Sequence, residues 1–326
     1  MTTHRGPLES VLETVGETPM VRVGAAPDAV PVYAKLESFN PGASIKYRIG
    51  VYMCEQLLER GDLEPGGTII EPTAGNTGIG MALAASQLDL EATFVVPERF
   101  SVEKQDLMAA LGAEIVNTPT EEGMGRAIDR AHEMAEAREN AVVPQQFANP
   151  LNAEAHYETT GPEIYEALDG EVGAVVMGCG TAGTLMGVAR YVLERTPEAH
   201  VAAVEPEGSM FSVALGENPE EGEYATEGIG TSDISRNELF DTELVDDVVS
   251  VPDRTAHAEV QRLAREEGQL VASSAGAASV VAVETAEAIR DGEVDAPHDS
   301  VVTVFPDSSE RYLSKNIYGS FPEWGA

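Results

Sequence analysis

Lysine is scarce in this chain, so amine chemistry on a carbonyl compound must choose among Lys35, Lys46, Lys104 and Lys315. Lys35 lies in VPVYAKLES, where Val32, Ala34 and Leu36 alternate with Tyr33, Lys35 and Glu37. That period of two predicts the polar side of a strand. Lys104 follows Ser101, a candidate helix cap, and its neighbours Glu103, Gln105 and Asp106 predict a solvated helix face. Lys315 stands near the C-terminal end, after the last expected strand. Lys46 differs. It follows the turn NPGAS with Ser44 as cap, and Ile45, Ile49, Tyr52 and Leu57 form an apolar stripe at helical spacing. Its amine is thus expected in a first helical turn, where the helix dipole disfavours an ammonium and suits a lysine that works while neutral. Position alone favours a lysine that only flanks a helix.

Two glycine loops offer anion cradles. EPTAGNTGIG runs from a strand through Glu71, Pro72, Thr73, Ala74, Gly75, Asn76 and Thr77 into a helix, which sets backbone N–H groups and hydroxyls at a helix start. Such a loop suits a carboxylate or a phosphate; against a turn needed only for chain reversal stands the packing of Thr73, Asn76 and Thr77 into five positions. The second loop is MGCGTAGT. Gly178, Gly180 and Gly183 satisfy the dinucleotide pattern GxGxxG, and Glu205 ends the next strand about 22 residues on. A nicotinamide-dependent oxidoreductase with a Rossmann domain is therefore the rival reading. Thr181 and Thr184 argue against it, since their hydroxyls favour a compact terminal phosphate, and it leaves NPGASIK and TAGNTG without a role.

These loops need strands to end on and helices to begin. TIIEP, a helix from Thr77, ATFVVP, a helix from Ser101 and EIVNTP form one βα series. GAVVMG, a helix from Thr184, HVAAVEP, VASS and VVTVFPD form a second. The alternation predicts an α/β protein of two lobes, each a mostly parallel twisted sheet covered by helices. The join is expected near Asn149 and Pro150. Residues 39–150 make the smaller lobe, and 1–38 with 151–326 the larger. The acidic run from Gly216 to Gly228 is expected to be a mobile surface segment.

The length of 326 residues accommodates two such cores. Cys54 and Cys179 cannot build a disulfide framework, and neither has metal-ligand spacing around it. No apolar run is long enough to span a bilayer and the start lacks a signal-peptide core, so a cytoplasmic protein is expected. The net charge of −36 comes from 56 acidic residues against 20 basic ones, dispersed along the chain. That excludes a phosphate backbone as a natural partner. It reads as a surface suited to high salt, where screening over roughly 3 Å at 1 M removes the self-repulsion.

Taken together, GETPMVRV, LESFNPGASIKYR, EPTAGNTGIG, VPERFSVEKQDLMAALGAEIV, QQFANPLN, HYETTGPEI, GCGTAGTLMG, EPEGS, EGIG, SSAGAA and PDSSERYLS resemble, in this order, the cysteine synthase and cystathionine β-synthase family of fold-type II pyridoxal-phosphate enzymes. The resemblance implies that Lys46 carries pyridoxal 5′-phosphate and removes the α-proton. It implies that Gly180, Thr181, Ala182, Gly183 and Thr184 hold the phosphate. Asn76 would bond the cofactor's phenolate oxygen and Ser274 would face its ring nitrogen. Thr73, Gly75, Asn76, Thr77 and Gln146 would hold the substrate, with Gly228 in a loop at the mouth of the site. The implied reaction is β-replacement on a serine-type amino acid: O-acetylserine plus sulfide first, and serine or O-acetylserine plus homocysteine as the alternative. A homodimer is implied too. Tyr47 stands where the family usually has Asp, and Ala74 where Ser is common.

Overall fold

The structure, a computed structural model, describes residues 6–24, 29–315 and 317–318. Residues 1–5, 25–28, 316 and 319–326 of the larger expected lobe, including the first five of the segment read for a leader, lie outside the described residues. The chain begins with β1 (Met20–Val23) and β2 (Val32–Leu36), paired antiparallel. It then builds a four-stranded parallel sheet from β3 (Thr68–Glu71), β4 (Glu91–Pro97), β5 (Glu114–Thr118) and β6 (Ala141–Val142), in the order β5-β4-β3-β6. It returns through β7 (Ala174–Gly178), β8 (His200–Pro206), β9 (Asp247–Val251) and β10 (Val301–Phe305) to a six-stranded sheet ordered β1-β2-β10-β7-β8-β9. Apart from β1, all pairing in the larger sheet is parallel. This is the expected α/β architecture.

Parallel strands buried on both faces need continuous apolar runs. Every residue of β3 and β10 is buried, as is every residue of β4 after Glu91. Helices α1 (Lys46–Arg60), α2 (Asn76–Gln87), α3 (Val102–Ala110) and α4 (Gly123–Glu136) surround the smaller sheet. The chain then runs back through α5 (Leu151–Ala155), a π turn (His156–Thr160) and α6 (Gly161–Ala167) as one helical segment. Helices α7 (Gly183–Leu193), α8 (Asp253–Glu267) and α9 (Ser273–Asp291) cover the larger sheet, with separate apolar cores on its two faces.

Three local expectations change. VASS is not a strand: Val271 keeps one isolated bridge to Ser308, and the helix-favouring run that begins at Ser273 opens α9. The strands β1, β6 and β9 come in addition to those read from the sequence. The acidic segment forms no helix or strand, but its end is anchored rather than free. Asp253 accepts the backbone N–H groups of Ala225 and Thr226 at 2.6 and 2.9 Å and the Thr226 hydroxyl at 2.6 Å, so Thr226 is only 2% exposed.

Candidate active site

One cavity of about 1070 Å³ opens beyond the carboxyl ends of β3, β7 and β10, where open parallel sheets place their ligands. Lys46 enters it from the first residue of α1, whose amide hydrogen-bonds Ser44 Oγ at 3.3 Å. The lysine's helix is set by contact between backbones. A Cβ on Gly80 would lie 2.6 Å from the carbonyl oxygen of Lys46, and one on Gly50 would lie 2.5 Å from the carbonyl carbon of Gly80. Both positions must be glycine for α1 and α2 to meet this closely, so Lys46 and the start of α2 form one rigid unit. Burial lowers the Lys46 amine to about 8, with Asp307 acting in the opposite direction.

Behind Lys46, Gly180–Thr184 turns from β7 into the N-terminus of α7. Amides in a first helical turn lack helical acceptors, and the dipole there favours an anion. The loop is tight. A Cβ on Gly180 would lie 2.4 Å from the Gly228 carbonyl oxygen, and one on Gly183 would lie 2.0 Å from Asn152 Oδ1. Gly180, Thr181, Ala182, Thr184 and Gly228 line a recess that also contains Lys46. Gly228 belongs to a loop fastened over this cradle, with the Gly230 amide donating to the Cys179 carbonyl at 2.7 Å. A backbone anion cradle and a partly neutral lysine in one recess fit a phosphate monoester whose aldehyde meets the amine.

The loop after β3 supplies the second cradle, and Thr73, Gly75, Asn76, Thr77 and Gln146 all line the same cavity. Thr77 Oγ1 donates to Gln146 Oε1 at 2.6 Å, which leaves the Gln146 NH₂ as the end able to donate elsewhere. Glu71, only 1% exposed, holds that segment by accepting the amides of Gln145 and Gln146 at 2.9 and 3.1 Å. Burial raises its carboxyl to about 7 against those two amides. Asn76 starts α2, but its NH₂ is directed at Asp307 Oδ2 (2.8 Å) and the Tyr312 hydroxyl (3.3 Å). Ser274, in the first turn of α9 and 3% exposed, lies on the cavity wall.

Two of the lysine readings are corrected. Lys35 is not on a solvated strand face: it is 1% exposed, paired with Glu163 at 2.7 Å and donating to the Thr18 carbonyl at 2.8 Å. That face of β2 meets protein rather than water because α6 brings Glu163, and the segment before β1 brings Thr18, over Lys35. Lys104 is 6% exposed, 4.6 Å above the Tyr312 ring and 3.7 Å from Glu227, because the C-terminal segment folds over α3. The helix-cap reading of Ser101 also changes, since its backbone is left-handed and its side chain makes no capping bond. Glu205, needed by the dinucleotide reading, is fully buried and accepts from Phe211, Ser212 and Ser250. Asp307 and Tyr312, to which no role was attached, stand beside Lys46 and Asn76; only the motif PDSSERYLS signals them. Tyr47 is buried with its ring against Gly42, in the core of the smaller lobe.

The family described as "Pyridoxal-phosphate dependent enzyme" matches residues 11–307. An O-acetylserine dependent cystathionine beta-synthase from Bacillus subtilis (strain 168) is 43% identical over 313 residues, covering 95% of this chain and 98% of that one. A cysteine synthase from Helicobacter pylori (strain ATCC 700392 / 26695) is 40% identical over 315 residues, covering 95% and 99%. The crystal structure of cysteine synthase from Entamoeba histolytica superposes with a TM-score of 0.89 at 33% identity, covering 98% of this chain and 93% of that one.

Proposed function

The chain belongs to the pyridoxal-phosphate-dependent enzymes, and from that membership we propose that it exchanges the acetate of O-acetylserine for sulfide, giving cysteine. The observation that supports this reading is the shared cavity, which Lys46 lines together with both glycine loops. We assign Gly180–Thr184 to the cofactor phosphate and Thr73, Gly75, Thr77 and Gln146 to the substrate carboxylate. Asn76 is assigned to the cofactor's ring oxygen side and Gly228 to the mouth. The lobes are taken as 39–150 and as 1–38 with 151–326, a division supported by the two sheets.

Bound on Lys46, pyridoxal phosphate supplies the electron sink that acidifies Cα of an amino acid and lets its β-substituent leave. The protein's own residues do the rest. Lys46 Nζ is the group placed to take the Cα proton and to return it after the thiol has added at Cβ. An amine of pKa about 8 is neutral roughly a tenth of the time at pH 7, against about four in ten thousand for an ordinary lysine. The carboxylate cradle fixes the substrate so that Cα faces Lys46. Ser274, on the cavity wall, would offer the cofactor's ring nitrogen a neutral hydroxyl, which unlike a carboxylate would not keep that nitrogen protonated.

A second reading, homocysteine as the thiol, is supported by the name of the 43% identical relative and by a cavity with room for a thiol carrying its own amino-acid groups. Turnover of serine and O-acetylserine, each with sulfide and with homocysteine, separates the two. O-Acetylserine with sulfide should give the highest kcat/KM and release acetate stoichiometrically. A higher kcat/KM with homocysteine selects the second reading. No β-replacement in any combination, with cofactor fully loaded, rejects both.

We further propose a cytoplasmic homodimer that works at high ionic strength. Among the described residues no helix is long and apolar enough to cross a membrane. The net charge of −36 supports the salt dependence, because repulsion is long-ranged only when unscreened. The melting temperature should rise steadily from dilute buffer to molar salt, with helical circular dichroism lost at the low end. A melting temperature independent of salt rejects this adaptation.

A further inference from the structure

Both hydroxyls of the phosphate cradle are contacted from one helical segment. Asn152 in α5 and His156 at the start of the π turn are four residues apart, on one helical face, and both are fully buried. Asn152 Nδ2 donates to the Gln146 carbonyl at 2.7 Å and to Thr181 Oγ1 at 3.0 Å. A carbonyl can only accept, which fixes which end of the amide is nitrogen. Thr181 Oγ1 is therefore an acceptor here, and its own proton must point elsewhere.

His156 bridges Thr160 and Thr184, with Nδ1 2.8 Å from Thr160 Oγ1 and Nε2 3.1 Å from Thr184 Oγ1. Burial, helped by the charge of Lys46, holds this imidazole well below its ordinary pKa, so one nitrogen donates and the other accepts. If Nδ1 carried the hydrogen, Nε2 would take the Thr184 proton and leave hydroxyl lone pairs facing an anion. If Nε2 carries it, Thr184 accepts from the ring and its proton is free for the cradle. The Thr160 hydroxyl then donates to Nδ1, and every partner in the chain is satisfied. The segment packs directly on α7, since a Cβ on Gly187 would lie 2.7 Å from the His156 Cβ.

We propose that Asn152 and His156 are positioning residues that aim the hydroxyl protons of Thr181 and Thr184 into the cradle, so that both donate to one phosphate. Thr160 holds His156 in the Nε2–H tautomer. The inference rests on the assignment of this cradle to the cofactor phosphate.

The test compares affinities of the full-length apoprotein for pyridoxal phosphate and for pyridoxal, which lacks the phosphate. The wild type should prefer the phosphorylated form strongly. Asn152→Leu, His156→Phe and Thr160→Val should each lose about tenfold of that preference, with pyridoxal affinity unchanged. Thr160→Val is nearly isosteric and keeps the test usable if the larger changes fail to fold. Independently, ¹⁵N-edited NMR of the cofactor-loaded wild type should show the proton of His156 on Nε2. A proton on Nδ1, or an unchanged preference in Thr160→Val, overturns the inference. A wild type with no preference overturns the cradle assignment itself, and this inference with it.

Discussion

Lys46→Ala should lose the visible absorption of lysine-bound cofactor and lower β-replacement by roughly 10³-fold or more, since on the proposed assignment one change removes both the attachment amine and the Cα base. No other lysine can substitute for it. Lys35 is held in an ion pair with Glu163, and Lys104 is packed over Tyr312. Lys315 pairs with Glu227 at 2.8 Å. Lys315→Ala is the appropriate control because its side chain is half exposed; it should retain the absorption and the turnover. Borohydride reduction followed by peptide mapping is the decisive measurement. A reducible adduct in Lys46→Ala would place the cofactor on another lysine and reject the assignment.

Arg48→Met should destabilise the protein by about 3–5 kcal/mol, although Arg48 itself takes no part in the chemistry. The guanidinium is 3% exposed and bonds Glu37 at 2.7 and 2.9 Å and Glu163 at 2.7 Å through two nitrogens. Burial works against its charge, but the two carboxylates more than compensate, so its pKa lies above the ordinary value. Removing it leaves Glu37, which is fully buried, without its cation, and Glu163 with Lys35 alone. Methionine keeps most of the volume, so the loss reports charge rather than a cavity. The acid limb adds a second reading. Burial favours protonated Glu163, but Arg48 and Lys35 outweigh it and lower the carboxyl to about 2. Its stabilising contribution is therefore complete above the unfolded value near 4 and disappears as pH falls through about 2. In Arg48→Met that acid dependence should shrink and move to higher pH. Urea titrations at several pH values measure both effects, and a loss below about 1 kcal/mol at pH 7 would show that the network is not stabilising in this way.

The sequence by itself determined what depends on neighbours along the chain. β-Rich runs ending in TAGNTG and GCGTAGT specify strand-to-helix turns, because glycines, hydroxyls and an apolar helix follow within a few residues. Lys46 was legible as a first-turn residue for the same local reason. The tertiary structure decided what depends on distant segments. The alternation in β2 suggested water on one face, but α6, far along the chain, packs there, and its Glu163 supplies the anion that makes a buried Lys35 tolerable. The polar neighbours of Lys104 likewise predicted solvent, yet Tyr312 and Glu227 arrive from the C-terminal half and cover it. VASS has strand-like residues, but Ser273 opens a helix whose first turn brings Ser274 to the cavity. Asp307 beside Lys46, and His156 behind Thr184, have no signature in periodicity or spacing. Burial and partnership are properties of the packed molecule, because the groups that desolvate or neutralise a side chain come from whichever segments fold against it.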